Sequence, residues 1–278
     1  MHWLIRALLD IVFPPRCEVC QRFGPTPLCS ECAGQIRRIL PPFCHICGEA
    51  FDPQARGGPI CSDCRGRRHS FQLARAFGFY EGPLRKAIHR FKYQGQRVLA
   101  RPLGALLTAH LRDNSPSAAD GSSAPPPPSI PLQQLDLICP VPLFPARQRA
   151  RGFNQAELIC RALSRATDIS LRTGVLQRVR DTLPQVHLPA SQRAANVRGA
   201  FAAPQPETVR GKTVLLVDDV FTTGATLREC ARTLQRAGAC AVFALALARP
   251  RPAWLMPAEP QRGGAGSVPI IPELGLQP

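Results

Sequence analysis

The sequence lacks any apolar run that approaches the ~20 residues of a membrane-spanning helix. Its first apolar stretch, LIRALLDIVF, is interrupted by Arg6 and Asp10 and has no small-residue cleavage site, which argues against a secretory signal. These absences predict a cytoplasmic protein with no membrane span.

Lysine is scarce as well. Only Lys86, Lys92 and Lys212 occur in the 278 residues, so arginine carries nearly all of the formal net charge of +16. A strongly basic, arginine-rich chain favours polyanions, either nucleic acid or a phosphorylated substrate. A solvated basic surface in an arginine-biased proteome is the alternative, and composition leaves both interpretations open.

Cysteine, in contrast, is abundant and unevenly placed. Eight of the twelve cysteines form four CxxC pairs within the first 64 residues. In a cytosolic protein such pairs favour zinc over disulfides, because two pairs make a tetrahedral S₄ site. Taken in sequential order, the predicted zinc ligands are Cys17, Cys20, Cys29 and Cys32 for one site and Cys44, Cys47, Cys61 and Cys64 for the other. A redox-active thiol array is the alternative interpretation.

So small a segment buries little core, so the metal would supply much of its folding free energy. A fully ligated site has no open position for substrate, which predicts a structural or docking role. The other cysteines stand singly in apolar stretches, which predicts core positions for Cys139, Cys160, Cys230 and Cys240.

The most informative stretch runs from Val214 to Thr226 and reads VLLVDDVFTTGAT. Its apolar beginning predicts a strand buried on both faces of a parallel sheet, and Asp218 and Asp219 stand where that strand ends. A loop of hydroxyls and glycine follows, and apolar residues then recur at helical spacing. The loop is therefore expected at the carboxyl edge of a sheet, where open α/β folds bind ligands.

The residues of this loop suit a sugar phosphate. Backbone N–H groups at a helix start attract phosphate, threonine hydroxyls add donors, and Gly224 allows close approach of the backbone. Two adjacent carboxylates can accept hydrogen bonds from a vicinal diol or help to hold Mg²⁺. Ribose 5-phosphate has this shape. A phospho-acceptor receiver domain and an ordinary βα unit with a capped helix are the alternatives.

The stretch resembles the signature of type I phosphoribosyltransferases that binds phosphoribosyl pyrophosphate (PRPP), and every position of that signature is matched. The resemblance implies that the catalytic pair Asp218 and Asp219 binds the ribose hydroxyls. It also implies that the loop binds the 5′-phosphate through Val220, Thr222, Thr223, Gly224, Ala225 and Thr226.

Two further segments are candidates for holding the pyrophosphate. A second buried strand, residues 136–141, leads into a predicted rigid basic loop before a helix that Asn154 can cap. Residues 176–201 are polar and poorly periodic, which predicts a mobile hood over the phosphates, with a plain surface loop as the alternative. The pyrophosphate and hood candidates are Arg147, Arg151, Asn154, Gln155, Arg178 and Gln185.

After a turn at Gly82-Pro83, the sequence predicts a basic helix that ends near Gly95, with interleaved Phe91 and Tyr93, within the stretch YEGPLRKAIHRFKYQG. This composition suits a nucleic-acid surface, because cations meet phosphate while aromatic rings can stack. A solvated helix with a core-facing Phe91 is the alternative.

These segments together resemble the ComF/GntX family, which implies an α/β fold: a type I phosphoribosyltransferase-like parallel sheet flanked by helices, with an N-terminal double zinc ribbon. The predicted organisation comprises an N-terminal helix and double zinc ribbon (1–68), a basic helical segment that starts the phosphoribosyltransferase domain (71–112), a low-complexity insert (113–131), the phosphoribosyltransferase-like domain (132–249) and a disordered Pro/Gly-rich tail (250–278).

The resemblance further implies a PRPP-binding phosphoribosyltransferase-like protein linked to competence and DNA uptake, with about two structural Zn²⁺ and with Mg²⁺ accompanying PRPP. The acceptor of a phosphoribosyl group is not readable from the sequence. The alternative is a non-enzymatic, PRPP-dependent adaptor that binds single-stranded DNA or a protein partner, such as a DNA-uptake helicase or a recombination protein.

Overall fold

The computed structural model of the chain describes residues 14–52, 54, 57–67, 69–113, 127–183 and 188–255. Most of the segment predicted as an N-terminal helix, most of the 113–131 insert and most of the 250–278 tail lie outside these residues. None of the described helices has the length and apolar character needed to cross a membrane.

Within the described ranges, the chain forms seven strands. They are β1 Ala74–Phe79, β2 Leu137–Pro140, β3 Ser170–Leu171, β4 Gln177–Arg178, β5 Phe201–Ala202, β6 Thr213–Val220 and β7 Ala241–Arg249. Five of them make one sheet in the order β1-β7-β6-β2-β3, and every neighbouring pair is parallel. The carboxyl ends of these strands therefore meet at one edge, and β6 occupies the centre.

The α-helices of the described chain are α1 Ser30–Gly34, α2 Gly82–Tyr93, α3 Ala100–Asp113, α4 Pro145–Arg151, α5 Gln155–Thr167, α6 Ala190–Val197 and α7 Ala225–Arg236. Short 3₁₀ turns cover Arg97–Leu99, Leu132–Gln134, Pro206–Thr208 and Ala253–Leu255.

Alternate residues of β6 face two different cores. Leu215 and Val217 pack with α2, α3, α5 and the segment around Cys17 and Cys32. Val214 and Leu216 pack with α7 and the segment around Cys44 and Cys64. This alternation follows from the two-residue period of a strand, and it places helices and one cysteine segment on each face of the sheet.

The predicted rigid loop after β2 contains a short helix, α4. Pro145 supplies the fixed φ of a first helical turn, and Gly152 ends the helix at φ 78° in the left-handed region. The predicted hood is likewise partly regular, because β4 and β5 pair as an antiparallel ribbon and α6 lies between them. Strands of two residues are too short to show a period in the sequence.

The core position predicted for Cys240 is wrong. Its side chain is exposed, whereas those of Cys139, Cys160 and Cys230 are buried as predicted. Cys240 lies in the turn before β7, where its N–H donates to the Lys212 carbonyl at 2.9 Å. The apolar run therefore extends one residue beyond the buried strand.

Candidate functional site

The acid pair lies at the carboxyl end of the central strand β6. Asp219 is only 4% exposed, while Asp218 is partly buried. The backbone N–H of Asp219 donates to Asp218 Oδ1 at 2.8 Å, which fixes the first carboxylate. Asp219 Oδ1 receives the ammonium of Lys92 at 2.7 Å, and Asp219 Oδ2 is buried without a hydrogen-bond partner. One carboxylate oxygen of the pair is thus left without a hydrogen bond.

Lys92 was not predicted as a site residue. The sequence placed it on a basic helix surface, but in the fold its side chain is only 15% exposed and reaches the acid pair from the last turn of α2. The scarcity of lysine in an arginine-rich chain is the one sequence feature that sets it apart.

Burial, reinforced by the neighbouring Asp219 carboxylate, raises the pKa of Asp218 to about 7, with Lys92 opposing the shift. Burial also disfavours the Lys92 ammonium, but the Asp219 carboxylate outweighs it and raises the pKa of Lys92. Asp218 therefore changes protonation near neutral pH. A ligand that donates hydrogen bonds to the carboxylate favours its ionised form.

The loop after β6 has the conformation of an anion cradle. Gly224 adopts φ 73°, and a Cβ there would lie 2.6 Å from Cζ of Phe221, so only glycine fits. No side chain caps the start of α7, which leaves its first N–H groups directed at the loop. The hydroxyl of Thr223 is buried without a partner. Buried donors of this kind normally find a ligand or water.

The structure brings most of the predicted ribose-phosphate residues around one pocket at this loop. Its lining includes Asp218, Val220, Thr222, Gly224, Ala225 and Thr226. Asp219 and Thr223 are not among its lining residues. The Asp218 carboxylate on one side of the pocket and the uncapped helix N–H groups on the other suit a diol joined to a phosphate.

Two of the pyrophosphate candidates converge on the hood. Arg147 of α4 pairs with Asp181 at 3.0 Å and also contacts the Thr182 carbonyl. Arg178 of β4 contacts the Thr182 hydroxyl, and its guanidinium lies 5.4 Å from the ring centroid of Phe201. Burial, with repulsion from Arg147, lowers the pKa of Arg178, although the nearby Asp218 carboxylate acts in the opposite direction.

The other candidates lie in different surroundings. Asn154 caps α5 as predicted, because its side-chain oxygen accepts from Ala156 N–H at 3.0 Å while its Nδ2 donates to the Val141 carbonyl. Both polar ends of Asn154 are thereby engaged by backbone. Arg151 contacts the side chain of Gln155 and lies 5.5 Å from the ring centroid of Tyr93. Gln185 lies outside the described residues.

The eight CxxC cysteines form two separate groups in sequential order. In each group the four Sγ atoms lie within 4.8 Å of one another, and the groups are Cys17, Cys20, Cys29, Cys32 and Cys44, Cys47, Cys61, Cys64. The Cys20–Cys29 and Cys47–Cys61 sulfur distances are 3.8 and 3.7 Å. Four sulfurs at about 2.3 Å from a tetrahedral zinc ion lie about 3.8 Å apart, so both groups fit zinc.

The basic helix α2 borders a groove of about 320 Å³. Its lining residues are Gly82, Arg85, Lys86, His89, Arg90 and Gln94. Phe91 is fully buried in the core, as the alternative interpretation of this helix required, whereas Tyr93 remains 62% exposed. A nucleic-acid surface here would therefore have one aromatic ring to offer and not two.

The parallel sheet, the acid pair with its glycine loop and the two cysteine groups define a phosphoribosyltransferase-type domain that carries a double zinc ribbon. The family profile described as Double zinc ribbon domain matches residues 8–65. The profile described as Phosphoribosyl transferase domain matches residues 151–262.

Curated relatives extend this match along the chain. Competence protein F of Haemophilus influenzae is 34% identical over 238 residues, 84% of this chain and 96% of that protein. DNA utilization protein YhgH of Escherichia coli K12 is 31% identical over 86% of this chain and 99% of that protein. Competence protein ComFC of Bacillus subtilis is 26% identical over 77% of this chain and 80% of that protein. The chain belongs to the ComF/GntX family.

Proposed function

We propose that this protein binds PRPP at the carboxyl end of β6 and transfers its phosphoribosyl group to an acceptor in DNA utilisation. The observation that carries the proposal is the pair of unsatisfied buried atoms in one short segment, Asp219 Oδ2 and the Thr223 hydroxyl. The first is an acceptor suited to a ribose hydroxyl, and the second can donate to a phosphate.

In this proposal, Asp218 and Asp219 accept hydrogen bonds from the ribose 2′ and 3′ hydroxyls. The uncapped start of α7 and the Thr223 hydroxyl hold the 5′-phosphate. Arg147 and Arg178 face the pyrophosphate, whose charge grows as its bond to ribose C1 lengthens. Fixed cations aimed at that developing charge lower the barrier without a general base.

Mg²⁺ fits the same donor set, because hard carboxylate and phosphate oxygens are its preferred ligands. Asp218 would hold it together with the pyrophosphate oxygens, and the ion would offset charge on the leaving group. We also propose one Zn²⁺ in each cysteine group, where it would stabilise a ribbon that buries little core.

Calorimetry and pyrophosphate release test the enzyme directly. The full chain with PRPP and Mg²⁺ is expected to show saturable binding, which Asp218→Ala combined with Asp219→Ala abolishes. Asp136→Ala is the matched control, since Asp136 lies at the opposite end of β2 in an exposed pair with Lys212. Pyrophosphate release with a panel of bases and single-stranded DNA then identifies the acceptor. Absence of PRPP binding in the unmodified chain would refute the proposal.

A second candidate function is a PRPP-dependent adaptor that binds single-stranded DNA, favoured by the basic groove on α2. Anisotropy of labelled single-stranded DNA is expected to show affinity that falls with salt and weakens in Arg85→Ala with Lys86→Ala. Arg165→Ala, an exposed arginine on α5, is the matched control. Salt-independent affinity would count against this function, and PRPP binding without turnover would favour it over the enzyme.

A further inference from the structure

We propose that Lys92 is a positioning residue that orients the ribose-binding carboxylate of Asp219, holding one oxygen so that the other faces the sugar. This inference rests on the proposed function, because it assigns a role toward the same ribose. The role differs from that of a ligand contact, since Lys92 would contact Asp219 and not the sugar.

The contact geometry carries the inference. The ammonium reaches Oδ1 of Asp219 at 2.7 Å, while Oδ2 of the same carboxylate is buried without a hydrogen-bond partner. The terminal torsion of a carboxylate is otherwise broad, so one strong bond to Oδ1 fixes the direction of Oδ2. A fixed acceptor avoids the ordering cost that a rotating carboxylate would incur when the sugar binds.

The identity of the cation matters as well. This chain uses arginine almost everywhere, yet lysine stands against Asp219. An ammonium is a compact charge that can occupy a single oxygen, whereas a guanidinium presents a fork that binds both oxygens of a carboxylate. Arginine at position 92 would therefore compete with the ribose hydroxyl for Oδ2.

A purely structural ion pair makes a different prediction. Its loss would lower the stability of the fold and weaken the binding of every ligand of the pocket alike, whether or not the ligand has a 2′ hydroxyl. A positioning role affects the ligand that uses Oδ2 and spares the phosphate subsite at the start of α7. We assign Asp219 Oδ2 to the ribose 2′ hydroxyl, so discrimination between ribose 5-phosphate and 2-deoxyribose 5-phosphate separates the two roles.

The experiment titrates the full chain with these two sugars and with inorganic phosphate. The unmodified protein is expected to prefer ribose 5-phosphate by about tenfold or more, as for a hydrogen bond to a charged group. Lys92→Met and Lys92→Arg are expected to lose that preference, with phosphate affinity changed by less than about twofold. Lys212→Met, at an exposed lysine before the start of β6, is expected to retain it.

A double-variant comparison covers the case in which Lys92→Met alone does not fold. Both Asp219→Asn and Asp219→Asn with Lys92→Met lack the Asp219 carboxylate, so neither leaves that carboxylate buried without its cation. If Lys92 acts through Asp219, the two bind ribose 5-phosphate equally. A further loss in the double variant would overturn the inference.

Two failures are distinguishable. If the unmodified protein binds neither PRPP nor ribose 5-phosphate, the proposed function and the inference both fall. If it binds and discriminates while Lys92→Met discriminates equally well, only the inference falls.

Discussion

The guanidinium of Arg249 lies 4.5 Å from the ring centroid of Phe221 and also donates to the Cys47 carbonyl at 2.6 Å. Phe221 in turn fills the space beside Gly224, where a Cβ would have to stand. Arg249, at the end of β7, thus connects the second cysteine group to the loop after β6 through two direct contacts. The first cysteine group packs in the core on the opposite face of the sheet.

We predict that the two cysteine groups affect PRPP binding unequally. Cys44→Ser and Cys17→Ser should each remove about one Zn²⁺ per chain, because each disrupts one tetrahedral site. Cys44→Ser should weaken PRPP binding more, since its group contacts Arg249. Metal analysis with calorimetry measures both effects, and Cys240→Ser, an exposed cysteine outside the groups, is the control. Equal effects on PRPP would contradict the connection.

Gly224→Ala is expected to abolish PRPP binding. The added Cβ would meet Phe221 Cζ at 2.6 Å, and alanine is disfavoured at φ 73° by about 1 to 2 kcal/mol. Gly174→Ala is a matched control, because Gly174 has φ 84° but nothing within 4 Å of the added atom. Thermal unfolding should show a loss of stability in both variants, larger in Gly224→Ala because of the added contact with Phe221, while calorimetry should show lost binding only in Gly224→Ala. Retained affinity in Gly224→Ala would show that the loop does not cradle the phosphate.

The protonation of Asp218 predicts a pH-dependent gain in stability for Asp218→Asn. Burial raises the pKa of Asp218 in the folded protein to about 7. In the unfolded chain the pKa of an aspartate carboxyl is about 3.9. A raised folded pKa means that the contribution of Asp218 to stability is full below about pH 4. That contribution is lost as the pH rises through about 7.

Asparagine does not ionise, so Asp218→Asn does not lose stability as the pH rises. Its thermal midpoint relative to that of the unmodified protein should therefore rise between about pH 4 and about pH 7 and then level off. Circular dichroism melts across this range measure the difference. Asp136→Asn, an exposed acid, should not show this rise. A difference that is constant with pH would mean that burial does not shift the pKa of Asp218 upward.

Arg147→Met is expected to weaken binding of PRPP but not binding of ribose 5-phosphate. Because Arg147 is held beside the hood by Asp181 and the Thr182 carbonyl, its loss should weaken binding of PRPP, which carries a pyrophosphate. Ribose 5-phosphate lacks that group and should bind unchanged. Arg149→Met on the same helix, where the side chain is exposed, is the control. If binding of both ligands weakened equally, Arg147 would act through folding and not through pyrophosphate binding.

Much of the fold could be predicted because its signals are local. The apolar run before Asp218 predicted the central strand β6, and the CxxC spacing predicted that cysteines would group in sequential order. Asn154 was predicted as a helix cap and caps α5. In each case neighbours in the chain are also neighbours in space, so the pattern alone specifies the contact.

The sequence by itself determined the family, the acid pair with its glycine loop and the two thiolate groups, because each is written in a few consecutive residues. The tertiary structure alone decided that Lys92 reaches Asp219 and that Arg249 connects the second cysteine group to Phe221. These contacts join residues that are distant in the chain. They depend on how α2 and the second cysteine group pack against the sheet, and packing of that kind leaves no periodic signal in a single sequence.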